Sequence, residues 1–125
     1  MKSYTDIEQS RKLAEILPIE SADMYYWCGE DLRIGGYRAM DIDYDIPCWS
    51  FSALLDVLPK IINNETLFIE TSPALWHLGY RNIYTERADN PIDACVNMII
   101  HLNKLNLLNK LILSFQATND DNAIK

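Results

Sequence analysis

Ile92, Cys95, Val96, Ile99 and Leu102 recur at helical spacing, while Asp93, Asn97, His101 and Lys104 fill the opposite side. The start of this helix is written into the chain: Asn90 is a good N-cap, Pro91 suits the first helical position, and Asp93 favours the positive end of the dipole. Two further helices follow from similar patterns. Thr5 followed by Glu8 has the form of a capping box, after which Ile7, Leu13, Ala14, Ile16 and Leu17 gather on one side until Pro18. Glu8 with Lys12 and Arg11 with Glu15 add pairs on the solvent side. Ser50 can cap a helix that buries Phe51, Leu54, Leu55 and Leu58 before Pro59 stops it.

Between the helices the apolar period shortens towards two. Thr66–Thr71, Ala74–Gly79 and Ile83–Arg87 are expected to be strands, and their connections are too short for parallel crossovers. Asn63-Asn64 marks the turn before them. In the middle strand Ala74, Trp76 and Leu78 share a face opposite Leu75 and His77, which makes Trp76 the expected core anchor. Residues 23 to 46 mix aromatics, acids and glycines, with strands expected at Met24–Cys28 and Tyr37–Tyr44. The order α, irregular β, α, β-β-β, α predicts an α+β fold: an antiparallel meander of about three to five strands with helices packed on one face. A single domain over 1–116 is expected, with 117–125 as a frayed tail and Leu107, Leu108, Leu111, Ile112 and Leu113 extending the last helix or adding a short element.

Composition supports a folded chain, because 49% of the 125 residues are apolar and 23% charged. Cys28, Cys48 and Cys95 form no CxxC pair and are odd in number, so a reduced, cytoplasmic compartment is the simpler expectation. No signal-like segment and no run of about 18 apolar residues is visible. The net charge of −7 is unevenly spread, since residues 15 to 45 hold eight acids against Arg33 and Arg38, a local −6. Such a surface repels phosphate backbones and anionic lipid, which argues against nucleic-acid and membrane partners while leaving a basic protein open.

Asp41, Asp43 and Asp45 alternate with Ile42 and Tyr44, so a strand here would put three carboxylates on one face roughly 6 to 7 Å apart. That arrangement suits either a hard cation or a solvated face that discourages edge pairing, with Ile42 and Tyr44 turned inward. An EF-hand loop is excluded, because Ile46 and Ser52 stand where glycine and glutamate belong. His77 and His101 form no zinc signature, Cys95 falls on an apolar stripe, and there is neither a GxGxxG nor a Walker-type loop.

Residues 7–18 (Ile7 to Pro18), 47–55 (Pro47 to Leu55) and 89–96 (Asp89 to Val96) together resemble a group of small uncharacterised proteins of Bacteroidetes genomes, often found among phage or mobile-element genes. The resemblance implies a bacterial, cytoplasmic protein in a prophage or mobile-element setting, and it carries over no site residue. The order helix, three-strand meander, helix over Ser50–Leu105 is similar to the double-stranded-RNA-binding domain. That family grips phosphates with a basic cluster at the start of its last helix, where this chain has Asp89, Asn90, Pro91 and Asp93.

The expected function is therefore that of a non-enzymatic interaction module, contacting a protein partner or a second copy through Tyr25, Tyr26, Trp27, Tyr37, Asp41, Asp43, Tyr44 and Asp45, without cofactor or metal. A charge-mimicking inhibitor is a special case of it, and a purely structural role in a larger assembly is a third possibility. The alternative from another class is a metal-dependent hydrolase using Asp41 and Asp43 with His77.

Overall fold

In the computed structural model, which describes residues 1–108, the chain runs α1 (Ile7–Ala14), β1 (Met24–Trp27), β2 (Asp31–Ile34), β3 (Ile46–Cys48), α2 (Phe51–Val57), β4 (Ile61–Ile62), β5 (Glu65–Thr71), β6 (Trp76–Tyr80), β7 (Tyr84–Ala88) and α3 (Pro91–Lys104). Short 3₁₀ turns stand at Ile19–Ser21 and Tyr37–Ala39. This is an α+β fold with two antiparallel sheets, of order β2-β1-β3 and β4-β5-β6-β7. The expected contribution of Leu111, Ile112 and Leu113 and the tail 117–125 lie outside the described residues.

Local chemistry explains where the helices begin. Asn90 is extended, and its side chain accepts from the Asp93 N–H 2.9 Å away, so α3 starts with Pro91 as its first residue. Ser50 caps α2 by accepting from the Ala53 N–H at 3.2 Å. The cap of α1 departs from expectation: Asp6 and Gln9 form the reciprocal capping box, not Thr5 and Glu8. Thr5 is one residue too early because it is used elsewhere. Its N–H donates to the Trp49 carbonyl at 3.0 Å, its hydroxyl accepts from the Trp49 N–H at 3.1 Å and meets the Ser10 hydroxyl at 2.7 Å, and it is fully buried. Tyr4 therefore bridges Ser50 antiparallel, alongside the end of β3.

The larger sheet follows the expected meander with small shifts in strand ends. Asn63 and Asn64, both at positive φ (49° and 69°), make the two-residue turn that pairs Ile62 with Glu65. Leu78 and Tyr80 are buried on the face that α3 covers, but Trp76 at the start of β6 is only half-buried, so it is not the core anchor. That place belongs to Trp49 and Tyr80, fully buried with Leu13, Leu54, Leu58, Leu78, Ile92, Met98, Ile99 and Leu102. Burial pushes the Tyr80 phenol upward in pKa, and its hydroxyl donates to the Pro59 carbonyl at 2.6 Å.

One ionic node joins the segment before α1 to the start of α3. Lys2 Nζ lies 2.9 Å from both Asp6 Oδ2 and Asp93 Oδ1, and Gln9 donates to Asp93 at 2.7 Å. Burial opposes ionisation of both carboxyls, yet hydrogen bonds outweigh it: those from Lys2, Gln9 and Asn90 to Asp93 and from the Gln9 N–H and Lys2 to Asp6 hold both below the ordinary value. A depressed carboxyl contributes stability above its unfolded value near pH 3.9 and loses it as the pH falls through the folded one. These groups are partly exposed, so each pair is worth only about 0.2–1 kcal/mol. Asp93→Asn is expected to be less stable than the parent at pH 7, with the gap closing towards pH 2; urea midpoints at the two pH values check it.

Candidate interaction surface

The three-stranded sheet is built on β1, flanked on both sides, with Met24 opposite Ile34 and Cys48, Tyr25 opposite Arg33 and Pro47, and Tyr26 opposite Leu32 and Ile46. Alternation along β1 then sorts its rings. Tyr26 points inward: it is 7% exposed and its hydroxyl donates to the Thr5 carbonyl at 2.6 Å. It is a strut of the fold, buried where an exposed ring was expected. Burial raises its phenol in pKa, so the hydroxyl remains a donor. Tyr25 is half-buried with its ring edge beside Gly35. Trp27 lies on the same side as Tyr25 and remains 47% exposed, with the Arg33 guanidinium 4.9 Å above its ring centre.

The expected strand over Tyr37–Tyr44 does not form. Tyr37–Ala39 is a 3₁₀ turn, and residues 41–45 fold back on themselves, the N–H groups of Tyr44 and Asp45 both donating to the Asp41 carbonyl. Carboxylates drive this geometry. Asp41 Oδ1 accepts from the Asp43 N–H at 3.1 Å, while Asp45 Oδ2 accepts from the Asp41 N–H and Oδ1 from the Cys28 N–H, each at 2.8 Å. The three acids therefore do not line one strand face. Asp45 ties this loop to the β1–β2 turn, where Cys28 and Gly29 stand at φ 53° and 75°, and is half-buried, whereas Asp41 and Asp43 are exposed. Ile42 is 71% exposed, not turned inward, and Tyr44 is 70% exposed.

His77 sits in the other sheet, opposite Glu70 and Arg87, with Nε2 3.2 Å from the Ser72 carbonyl. The structure thus does not join it to Asp41 and Asp43, and no group of three or more His, Cys, Asp or Glu among the described residues is placed to hold a metal ion. His101 is not simply solvated, because Nδ1 meets Glu86 Oε1 at 2.9 Å and its ring packs edge-on to Tyr84 at 4.9 Å. Burial raises the Cys48 thiol, against hydrogen bonds with Thr5, Ser10 and Tyr26 that pull it down, and raises Cys95 to about 12. Both stay protonated near neutrality, which is the wrong state for a nucleophile.

What this lobe does present is apolar surface in water. Of the eleven large apolar side chains exposed among the described residues, Trp27, Ile34, Tyr37, Ile42 and Tyr44 fall within 27–44, so the exposure is concentrated and not scattered. Ile34 and Ile42 were invisible as surface residues in the sequence, where an isoleucine signals burial. Beside them, Ile42, Ile46 and Pro47 face Ala14 and Arg11 of α1 and Ile19 across an open groove of about 310 Å³, with Asp45 at its lining. Among the described residues no helix is long and apolar enough to cross a membrane. Comparisons of the chain with protein-family models, curated proteins and solved structures find no match.

Proposed function

We propose that the chain is a non-enzymatic, acidic protein-interaction module whose contact surface is the lobe from Trp27 to Pro47. The observation that carries this reading is the coincidence of exposed Trp27, Ile34, Tyr37, Ile42 and Tyr44 with exposed Glu30, Asp31, Asp41 and Asp43 on one small sheet and its loops. Rings and aliphatic side chains gain most from leaving water, and charges around them select the partner and speed encounter. Tyr26 and Asp45, both used inside the lobe, hold the surface in shape. The setting proposed is a bacterial cytoplasm with a phage or mobile-element background, on the resemblance carried by residues 7–18, 47–55 and 89–96.

Trp27→Ala combined with Tyr44→Ala tests the reading, since both side chains are exposed and neither belongs to the buried core. Partner capture from a bacterial lysate, quantified against the parent chain, is expected to fall about tenfold or more, the scale of losing central contact residues. Equal capture by the parent and the double variant would refute it.

A further inference from the structure

We propose that the groove between α1 and the 41–47 loop is the anchoring pocket of this surface, and that it takes one large apolar side chain from a basic polypeptide segment of the partner. The inference rests on the interaction reading above and specifies the partner's chemistry. Five of the seven lining residues are apolar: Ala14, Ile19, Ile42, Ile46 and Pro47. At about 310 Å³ the groove lies at the lower bound of small-molecule sites, roughly 300–1,000 Å³. Its polar lining is confined to Asp45, both of whose oxygens already accept backbone N–H groups, and the guanidinium of Arg11, so only one side chain is left to orient a polar ligand. A small polar ligand would find little to orient it, whereas an apolar side chain needs only the walls. Interfaces concentrate their energy in such an anchor, seated in a pocket and surrounded by polar contacts.

Charge decides between a foreign partner and a second copy. Asp45 lines the groove and the exposed Asp41 and Asp43 flank its lining residue Ile42, three acids on the loop side against the single lining cation Arg11 on α1. A two-fold contact through this face would set those acids against their own copies, which is repulsive. A segment with Lys or Arg beside its apolar anchor meets the same acids favourably.

Selection of short random displayed peptides on the immobilised full chain supplies the probe, and the enriched peptide is then synthesised and titrated. Enriched peptides are expected to combine Lys or Arg with a large apolar residue. Their affinity is expected to drop about tenfold with Ala14→Trp, which fills the groove from an exposed helix position, and with Ile42→Ser, and to drop also with Asp43→Lys. Loss with Asp43→Lys but unchanged affinity with Ala14→Trp and Ile42→Ser would overturn the pocket while leaving the acidic surface standing. Absence of enrichment, or enrichment of acidic peptides, would overturn the proposed partner chemistry. The interaction reading itself falls only if the partner captured from lysate is also indifferent to Trp27→Ala/Tyr44→Ala.

Discussion

Gly79→Ala is expected to destabilise the chain by about 3 kcal/mol or more, at or beyond the upper end of ordinary overpacking. Gly79 sits in the middle of β6 directly opposite Thr85 of β7. A Cβ there would overlap the Tyr84 carbonyl oxygen and stand 2.8 Å from Thr85 Cα and 3.0 Å from the Tyr84 carbonyl carbon. All three are backbone atoms of the neighbouring strand, so no side-chain rotation relieves the clash. The alternatives are to spread β6 from β7 or to shift β7 under α3, and either one disturbs the buried Leu78 and Tyr80. Gly79 is not among the positive-φ residues, so the close approach of β7 is the reason for glycine here. Against a total of about 5–15 kcal/mol for a domain, the change leaves a marginal fold. Urea unfolding followed by tryptophan fluorescence checks it, and a loss under about 1 kcal/mol would mean that the strands tolerate separation.

Trp49→Ala is expected to cost about 3–5 kcal/mol, the range for removing a large buried aromatic. Trp49 follows β3 and precedes the Ser50 cap, so its position couples the small sheet to α2. Its indole Nε1 donates to Ser21 Oγ at 2.9 Å, and its backbone exchanges hydrogen bonds with Thr5. The side chain itself is fully buried among Leu13, Leu54, Leu58 and their neighbours. Truncation removes the transfer energy and leaves a cavity among the buried side chains packed around it. Trp49→Phe separates the two contributions: most of the volume returns, the indole bond does not, and the residual loss is expected near 1–2 kcal/mol. Comparable losses for both variants would show that the hydrogen bond to Ser21, not packing, is what matters.

Legibility in the sequence followed the range of the interactions. α2 and α3 were readable to within a residue or two at their starts because Ser50 and Asn90 cap backbone groups three residues away. The β5–β7 meander was readable because short turns leave antiparallel neighbours no other choice. Asp41-Ile42-Asp43-Tyr44-Asp45 misled for a physical reason. Alternation of acids and apolar residues fits a half-buried strand, but aspartates that bond to N–H groups two and four residues back or ahead offer the backbone a turn instead. The deciding partner, the Cys28 N–H held by Asp45, lies 17 positions away and is absent from any local window. Tyr26 and Trp27 are neighbours of equal promise in the chain, and only the pairing of β1 with β2 and β3 tells which turns towards Thr5. The groove could not be foreseen at all, since α1 and the 41–47 loop meet only in the folded chain.

Apolar surface in this chain is divided: one set of side chains holds the fold, and another is kept exposed for contact. Thermal unfolding of the Trp27→Ala/Tyr44→Ala chain tests that division most directly. Surface substitutions change stability by about 0.5 kcal/mol or less, and losing the exposed stack of Arg33 on Trp27 adds about 0.5–1 kcal/mol, together a shift of roughly 3–6 °C in a chain this size. The melting temperature is predicted to stay within that margin while capture of the partner is lost. A fall of the order of 10 °C would show instead that these rings support the fold, and the contact surface would have to be sought elsewhere.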